Sequence, residues 1–286
     1  QLVLGSEQGF NGVVEQAVSP ESTFLVACSP KSGVMRVYRI KDCSLEQRNE
    51  FVAGQGRYGF LEGCHGLAFS DDGRLFCVGG SGSHRIGCFS LDDFGNWSMK
   101  QELSQYGDNE RLKEPMALTF LNDILYIVLK KGLVVAYERQ GVHAAGGLGF
   151  SGKNHELLCN GRRVYPKTES LEDGKVGLLW RPFRKEGVIT PVNHNTLLIA
   201  DSMGVHTMEW VNGFLEFRRT IIHYLWGDSW RLAETGLVSS PEWLMMTDSA
   251  NHSVTLFPVI ESSAESLRSP LVSIYLLLPL MLVSIL

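Results

Sequence analysis

Tyr106-Gly-Asp-Asn-Glu-Arg-Leu-Lys-Glu-Pro115 returns 120 positions later as Trp226-Gly-Asp-Ser-Trp-Arg-Leu-Ala-Glu-Thr235, an aromatic residue followed by G-D-x-x-R-L-x-E. Each copy leads into an apolar run, a short polar turn and a second apolar run. Self-similarity at a fixed period marks an architecture whose units bury their apolar faces against one another. Working outward, the same succession of short runs occurs five times. Its third run ends on an aromatic residue each time: Tyr38, Phe89, Tyr137, Trp210 and Phe257. Those anchors lie 51, 48, 73 and 47 residues apart, which suits units of four short strands with one elongated interval. No long segment keeps a helical period. The reading is an all-β propeller of four-stranded blades over residues 1–260, with five copies visible and five or six blades in the ring.

Closure of the ring is expected from the N-terminus. Leu2-Val-Leu-Gly5 matches Phe51-Val-Ala-Gly54, the outer strand of the first copy, whereas the last copy has no fourth run after Phe257. Residues 2–5 are therefore predicted to pair beside 253–259 and cover an open sheet edge. The alternative is a further blade preceding this sequence. The long interval, about 140–185, contains Ala144-Ala-Gly-Gly-Leu-Gly149 and Asn160-Gly-Arg-Arg163, read as a basic turn. It is expected to be an elaborated outer strand with a projecting loop, or a degenerate sixth blade.

Among the 286 residues, 44% are hydrophobic, enough for a core, and the net charge of −5 gives no basic footprint for nucleic acid. Leu271–Leu286 is uncharged and preceded by a serine-rich spacer, residues 261–270. The run is short for a spanning helix. Small residues from Ser262 onward, a polar spacer and an apolar tail have the layout of a glycolipid (GPI) attachment signal, with Ser262 as the attachment residue. The expected location is the outer cell surface, held by that lipid anchor; a tail-anchored membrane protein is the alternative.

The six cysteines form no CxxC pair, which disfavours zinc. Cys77 and Cys88 flank the Gly82-Ser83 turn symmetrically, so a regular hairpin sets them opposite each other as a disulfide, or as two reduced, packed thiols. Asn96-Trp-Ser98 and Asn251-His-Ser253 are N-glycosylation sequons in predicted turns.

Asp248-Ser-Ala-Asn-His-Ser-Val-Thr-Leu-Phe257 resembles the D-S-x-N-H-x-[IV]-x-x-[FY] signature of NHL-repeat propellers. Gly80-Ser-Gly-Ser-His-Arg-Ile-Gly-Cys-Phe89 and Asp201-Ser-Met-Gly-Val-His206 are weaker versions. Glu62-Gly-Cys-His-Gly-Leu-Ala-Phe-Ser-Asp-Asp-Gly-Arg-Leu75 resembles strand openings of the gluconolactonase and strictosidine-synthase-like propellers. The resemblance implies the fold and is nearly silent on activity.

Two functions follow as expectations. Arg57, Tyr58, Arg111, Trp226, Trp230 and Arg231 lie in loops joining a fourth strand to the next first strand, and Tyr, Trp and Arg dominate binding hot spots. They suit a non-catalytic surface module that binds a protein or glycan and needs no cofactor. Alternatively, Glu62, Glu114, Glu186 and Glu234 each precede an innermost strand and converge on the channel as a Ca²⁺ site. The gluconolactonase resemblance implies a metal-ligand glutamate there, and the chain would then be a Ca²⁺-dependent hydrolase of lactones or esters. The competing reading has each glutamate bonded within its own loop.

Overall fold

The computed structural model describes residues 15–42, 44–130, 132–139, 158–165, 188–201, 204–223, 237–239, 243–248 and 253–258. The first blade is β1 (Glu15–Val18), β2 (Phe24–Ser29), β3 (Val34–Lys41) and β4 (Ser44–Val52). The second is β5 (Cys64–Phe69), β6 (Leu75–Gly80), β7 (Arg85–Leu91) and β8 (Trp97–Leu103). A small ladder of β9 (Gln105–Tyr106) and β10 (Glu110–Arg111) leads to the third, β11 (Pro115–Leu121), β12 (Ile124–Leu129), β13 (Leu133–Arg139) and β14 (Leu158–Tyr165). The fourth is β15 (Val188–Asn193), β16 (Thr196–Asp201), β17 (Gly204–Val211) and β18 (Phe214–His223). The fifth has β19 (Leu237–Ser239), β20 (Trp243–Asp248) and β21 (Ser253–Pro258). Every sheet is an antiparallel meander in chain order, and the innermost strands touch in succession: β1 with β5, β5 with β11, β11 with β15, β15 with β19. The chain is an all-β propeller. The expected pairing of residues 2–5 with the last blade lies outside the described residues.

The core sits between the blades rather than inside any one of them. Along β6, Phe76 and Val78 face the first blade, while Leu75 and Cys77 face the third. Along β12, Leu125, Ile127 and Leu129 face backwards and Tyr126 and Val128 forwards. A strand covered on both faces must be apolar at every position, which is why these runs lack the alternation of a half-exposed sheet. The outer strand β4 keeps a mostly polar, exposed pattern. Between the first two blades Phe76 stacks on Phe89 at 4.8 Å and meets Trp97 at 4.8 Å, and Trp97 reaches Phe24 at 5.5 Å.

The cysteines join this core. Cys77 lies directly opposite Cys88 in the β6–β7 ladder and the two form a disulfide, as the hairpin symmetry predicts. A second disulfide, Cys28–Cys64, ties β2 to β5 across the blade boundary. All four sulfurs belong to buried residues. Persistent disulfides are the mark of an oxidising compartment. Among the described residues no helix is long and apolar enough to cross a membrane; residues 271–286 lie outside them.

Asn160-Gly-Arg-Arg163 is not a turn. It lies within β14, the outer strand of the third blade, paired with β13. A Cβ on Gly161 would come within 2.3 Å of the Tyr137 ring, so the glycine marks a close approach of neighbouring strands rather than a chain reversal. The arginines are strand side chains: Arg162 pairs with Glu138 at 3.5 Å and lies over the Trp210 ring at 5.6 Å. The elongated interval therefore contains an outer strand, as expected, with residues 140–157 and 166–187 outside the described set.

Arg139 joins two blades electrostatically. Its guanidinium is nearly buried and reaches Asp72 at 2.9 Å in the second blade and Asp123 at 3.3 Å in the third. Burial works to raise the Asp72 carboxyl. Hydrogen bonds from Arg139, the Ser70 hydroxyl and the Arg74 N–H outweigh it and hold the group below its ordinary value. A carboxyl lowered on folding contributes stability above its unfolded value, about 3.9. That contribution disappears as pH falls through the lower folded value. Asp72→Asn should therefore lower the urea midpoint at pH 7, with the gap to the parent protein narrowing towards pH 3. An equal cost at both pH values would show that charge is not what Asp72 contributes.

Candidate recognition face

In this meander, loops from a fourth strand to the next first strand share one face with the turns between second and third strands. Both described loops of the first kind are held by buried side chains of their own. In residues 53–63 a single 3₁₀ turn, Gly59–Leu61, drives Phe60 and Leu61 into the blade boundary. A Cβ at Gly80 would meet the Phe60 carbonyl at 2.0 Å and one at Gly87 its ring at 2.2 Å. Those two glycines are the slot for the wedge. The Ser81 N–H and hydroxyl both donate to the Gly63 carbonyl, at 3.0 and 2.9 Å, sewing this loop to the β6–β7 turn. Tyr58 lies half-buried against Phe51 at 5.2 Å. Arg57 remains exposed, and its guanidinium donates to the Met99 carbonyl at 2.7 Å.

Residues 104–114 give several positions of the repeated motif a structural role. Tyr106 is buried, and its hydroxyl donates to Glu110 Oε2 at 3.1 Å; burial first, then that bond, pushes the phenol up. Gly107 and Asn109 both have positive φ and make the turn of the β9–β10 ladder. Leu112 is fully buried, and its N–H donates to the Ser104 carbonyl at 2.9 Å. Arg111 between them is exposed. Glu114, at φ 49°, closes the motif. Its N–H donates to His84 Nδ1 at 3.1 Å, its carbonyl accepts from the Lys130 N–H at 3.0 Å, and its carboxylate forms an ion pair with the Lys130 ammonium. Sequence reasoning sought a partner for Glu114 within its own loop and missed Lys130, whose nearness depends on the β11–β12 register pairing Pro115 with Leu129.

The remaining candidates are placed as follows. Glu62 is exposed at the end of the 3₁₀ turn. Among the described residues no three His, Cys, Asp or Glu side chains gather in a way that could hold a metal ion. Asn96 is exposed in the β7–β8 turn, on the opposite face. Trp226, Trp230, Arg231, Glu186, Glu234, Asn251 and Ser262 lie outside the described residues.

No protein-family profile and no curated protein sequence matches the chain. Many solved structures do. One is a protein assigned as a 6-phosphogluconolactonase from Bacteroides uniformis: 15% identity, TM-score 0.53, 85% of this chain and 66% of the other. A protein from Lactobacillus plantarum has 12% identity, TM-score 0.54, and shares of 86% and 67%. The Cps50 (Swd1) β-propeller domain of Myceliophthora thermophila has 11% identity, TM-score 0.51, and shares of 90% and 68%. The chain thus spans about two thirds of the length of these structures, and at such identities the likeness concerns the fold alone.

Proposed function

We propose that the propeller is a non-catalytic recognition module at the outer surface of a cell, binding a protein or a glycan through its fourth-to-first-strand loops. One observation carries this reading. Phe60, Tyr106 and Leu112 are buried and fix the loops, whereas Arg57 and Arg111 stay exposed upon them. Loops already ordered lose little entropy on binding, and arginine is a common hot-spot residue. The two disulfides support an extracellular setting, and the uncharged run 271–286 supports attachment through a lipid at Ser262, with a tail anchor as the competing form.

The Ca²⁺-dependent hydrolase is the second reading, and the lactonase assigned to the Bacteroides neighbour is what brings it forward. Glu114, paired with Lys130, speaks against it, because a calcium site would have to displace that ammonium. Full-length protein screened against immobilised glycans and cell-surface ectodomains tests the first reading. Arg57→Ala with Arg111→Ala should weaken the captured interaction by about 10- to 100-fold. The same change removes the Arg57–Met99 hydrogen bond, so the melting temperature should fall by no more than a few degrees. Binding that survives the double change would remove the assigned face. A melting temperature that rises with added Ca²⁺, and ceases to rise in Glu62→Gln with Glu114→Gln, would establish the metal site that the hydrolase reading requires.

A further inference from the structure

Phe94 is 91% exposed, the most exposed large apolar side chain among the described residues. It stands at the tip of the turn Asp92-Asp-Phe-Gly-Asn96 between β7 and β8. Asp, Gly and Asn all have turn chemistry of their own, and Phe has none. The turn is firmly built. The Gly95 N–H donates to the Asp92 carbonyl at 3.1 Å, the Asp92 N–H donates to the Asn96 carbonyl at 2.9 Å, and Gly95 takes a positive φ of 83°. Asp92 Oδ1 accepts the N–H of Phe94 at 2.9 Å and that of Asn96 at 2.8 Å, so both residues are tethered to one oxygen atom. Asn96 Nδ2 makes only a long contact, 3.5 Å, to Asp92 Oδ2. The next residue, Trp97, is buried, and Ser98 is part-exposed in β8 opposite Ser90. An outward asparagine, a buried ring and an accessible serine thus present the Asn96-Trp-Ser98 sequon on a rigid support.

We propose that Asn96 carries an N-linked glycan whose first sugar lies on the Phe94 ring. The donor would be an oligosaccharide linked to a polyisoprenoid diphosphate. The asparagine carboxamide nitrogen attacks the anomeric carbon, an N–C bond forms, the C–O bond to the diphosphate breaks, and one amide proton is released as the diphosphate departs. One face of a pyranose presents C–H groups, and an aromatic face gains by covering them as it does with any apolar surface. The sugar needs no free association, because its attachment two residues away supplies a high effective concentration. The sugar gives the exposed ring an apolar cover that the polypeptide does not supply.

The proposal rests on the extracellular reading above, and a cleavable secretory leader fused to the full chain separates the two. With that leader, occupancy no longer depends on where the native chain resides. Peptide mapping after enzymatic glycan removal in heavy-oxygen water reads Asn96 directly. Occupied Asn96 is expected, together with a melting temperature about 2 °C above that of Ser98→Ala, which abolishes the sequon without touching Asn96. Between Phe94→Ala and Phe94→Ala with Ser98→Ala that difference should vanish. Phe94→Ala with Ser98→Ala should melt with Ser98→Ala alone. An unoccupied Asn96, or a glycan-linked rise that persists in Phe94→Ala, overturns the proposal.

Discussion

Cys28→Ser should lower the melting temperature by on the order of 10 °C. The Cys28–Cys64 disulfide closes a loop of 36 residues. In the chain-entropy account a closure of that length contributes about 4 kcal/mol by restricting the unfolded chain. For a domain of this size, each kcal/mol corresponds to about 2–4 °C. The serine hydroxyl would also place a polar group in a fully buried position beside a free Cys64 thiol. Calorimetry of Cys28→Ser and of Cys28→Ser with Cys64→Ser, each compared with the oxidised parent, checks the value. The Cys77–Cys88 link closes only 11 residues, about 3 kcal/mol, so its removal should cost less. A fall of only 1 or 2 °C for Cys28→Ser would mean that the blade boundary holds without the bond.

The second large effect is at Phe76. Its ring is fully buried and touches Phe69 at 5.5 Å, Phe89 at 4.8 Å and Trp97 at 4.8 Å. Phe76→Ala removes the centre of that group and leaves a void which the disulfide-tied blades cannot collapse to fill, at a cost of about 3–5 kcal/mol. Phe76→Leu should recover more than half of it. Denaturant unfolding reads both. Because the ring lies between blades, the loss should destabilise both neighbours together, so probes in the first and second blades are expected to report one shared midpoint.

The sequence made the fold legible because repetition multiplies weak signals. Any one of the runs ending in Tyr38, Phe89, Tyr137 or Trp210 could be a strand in many folds, but their order and spacing admit few. Cys77–Cys88 was legible for a related reason: the pairing is local, and turn symmetry fixes it. Cys28–Cys64 was not, because opposing those residues requires the register of one blade upon the next. The same limit applies at Glu114. Its motif marked a loop, but Lys130 comes within reach only through strand pairing, so a metal ligand and an ion-paired anchor look alike in sequence. Asn160-Gly-Arg-Arg163 misled in the opposite direction. Asn-Gly carries a strong turn signal, and only the Tyr137 ring beneath Gly161 reveals a strand instead. Tyr106 and Phe60 show why aromatic loop residues are poor guides to binding: both are spent on holding the loops still.

The Cys28–Cys64 bond also alters how the chain responds to mechanical load. Tension entering at one end of the polypeptide would cross from β2 to β5 through the sulfurs, bypassing β3, β4 and the wedge loop that carries Arg57. Residues 29–63 then form a slack loop, and about 120 Å of contour stays hidden at the usual extended rise per residue. The loop that bears Arg57 and Tyr58 would keep its shape under a pull that strips the neighbouring blades, and would yield its length only after the bond is reduced.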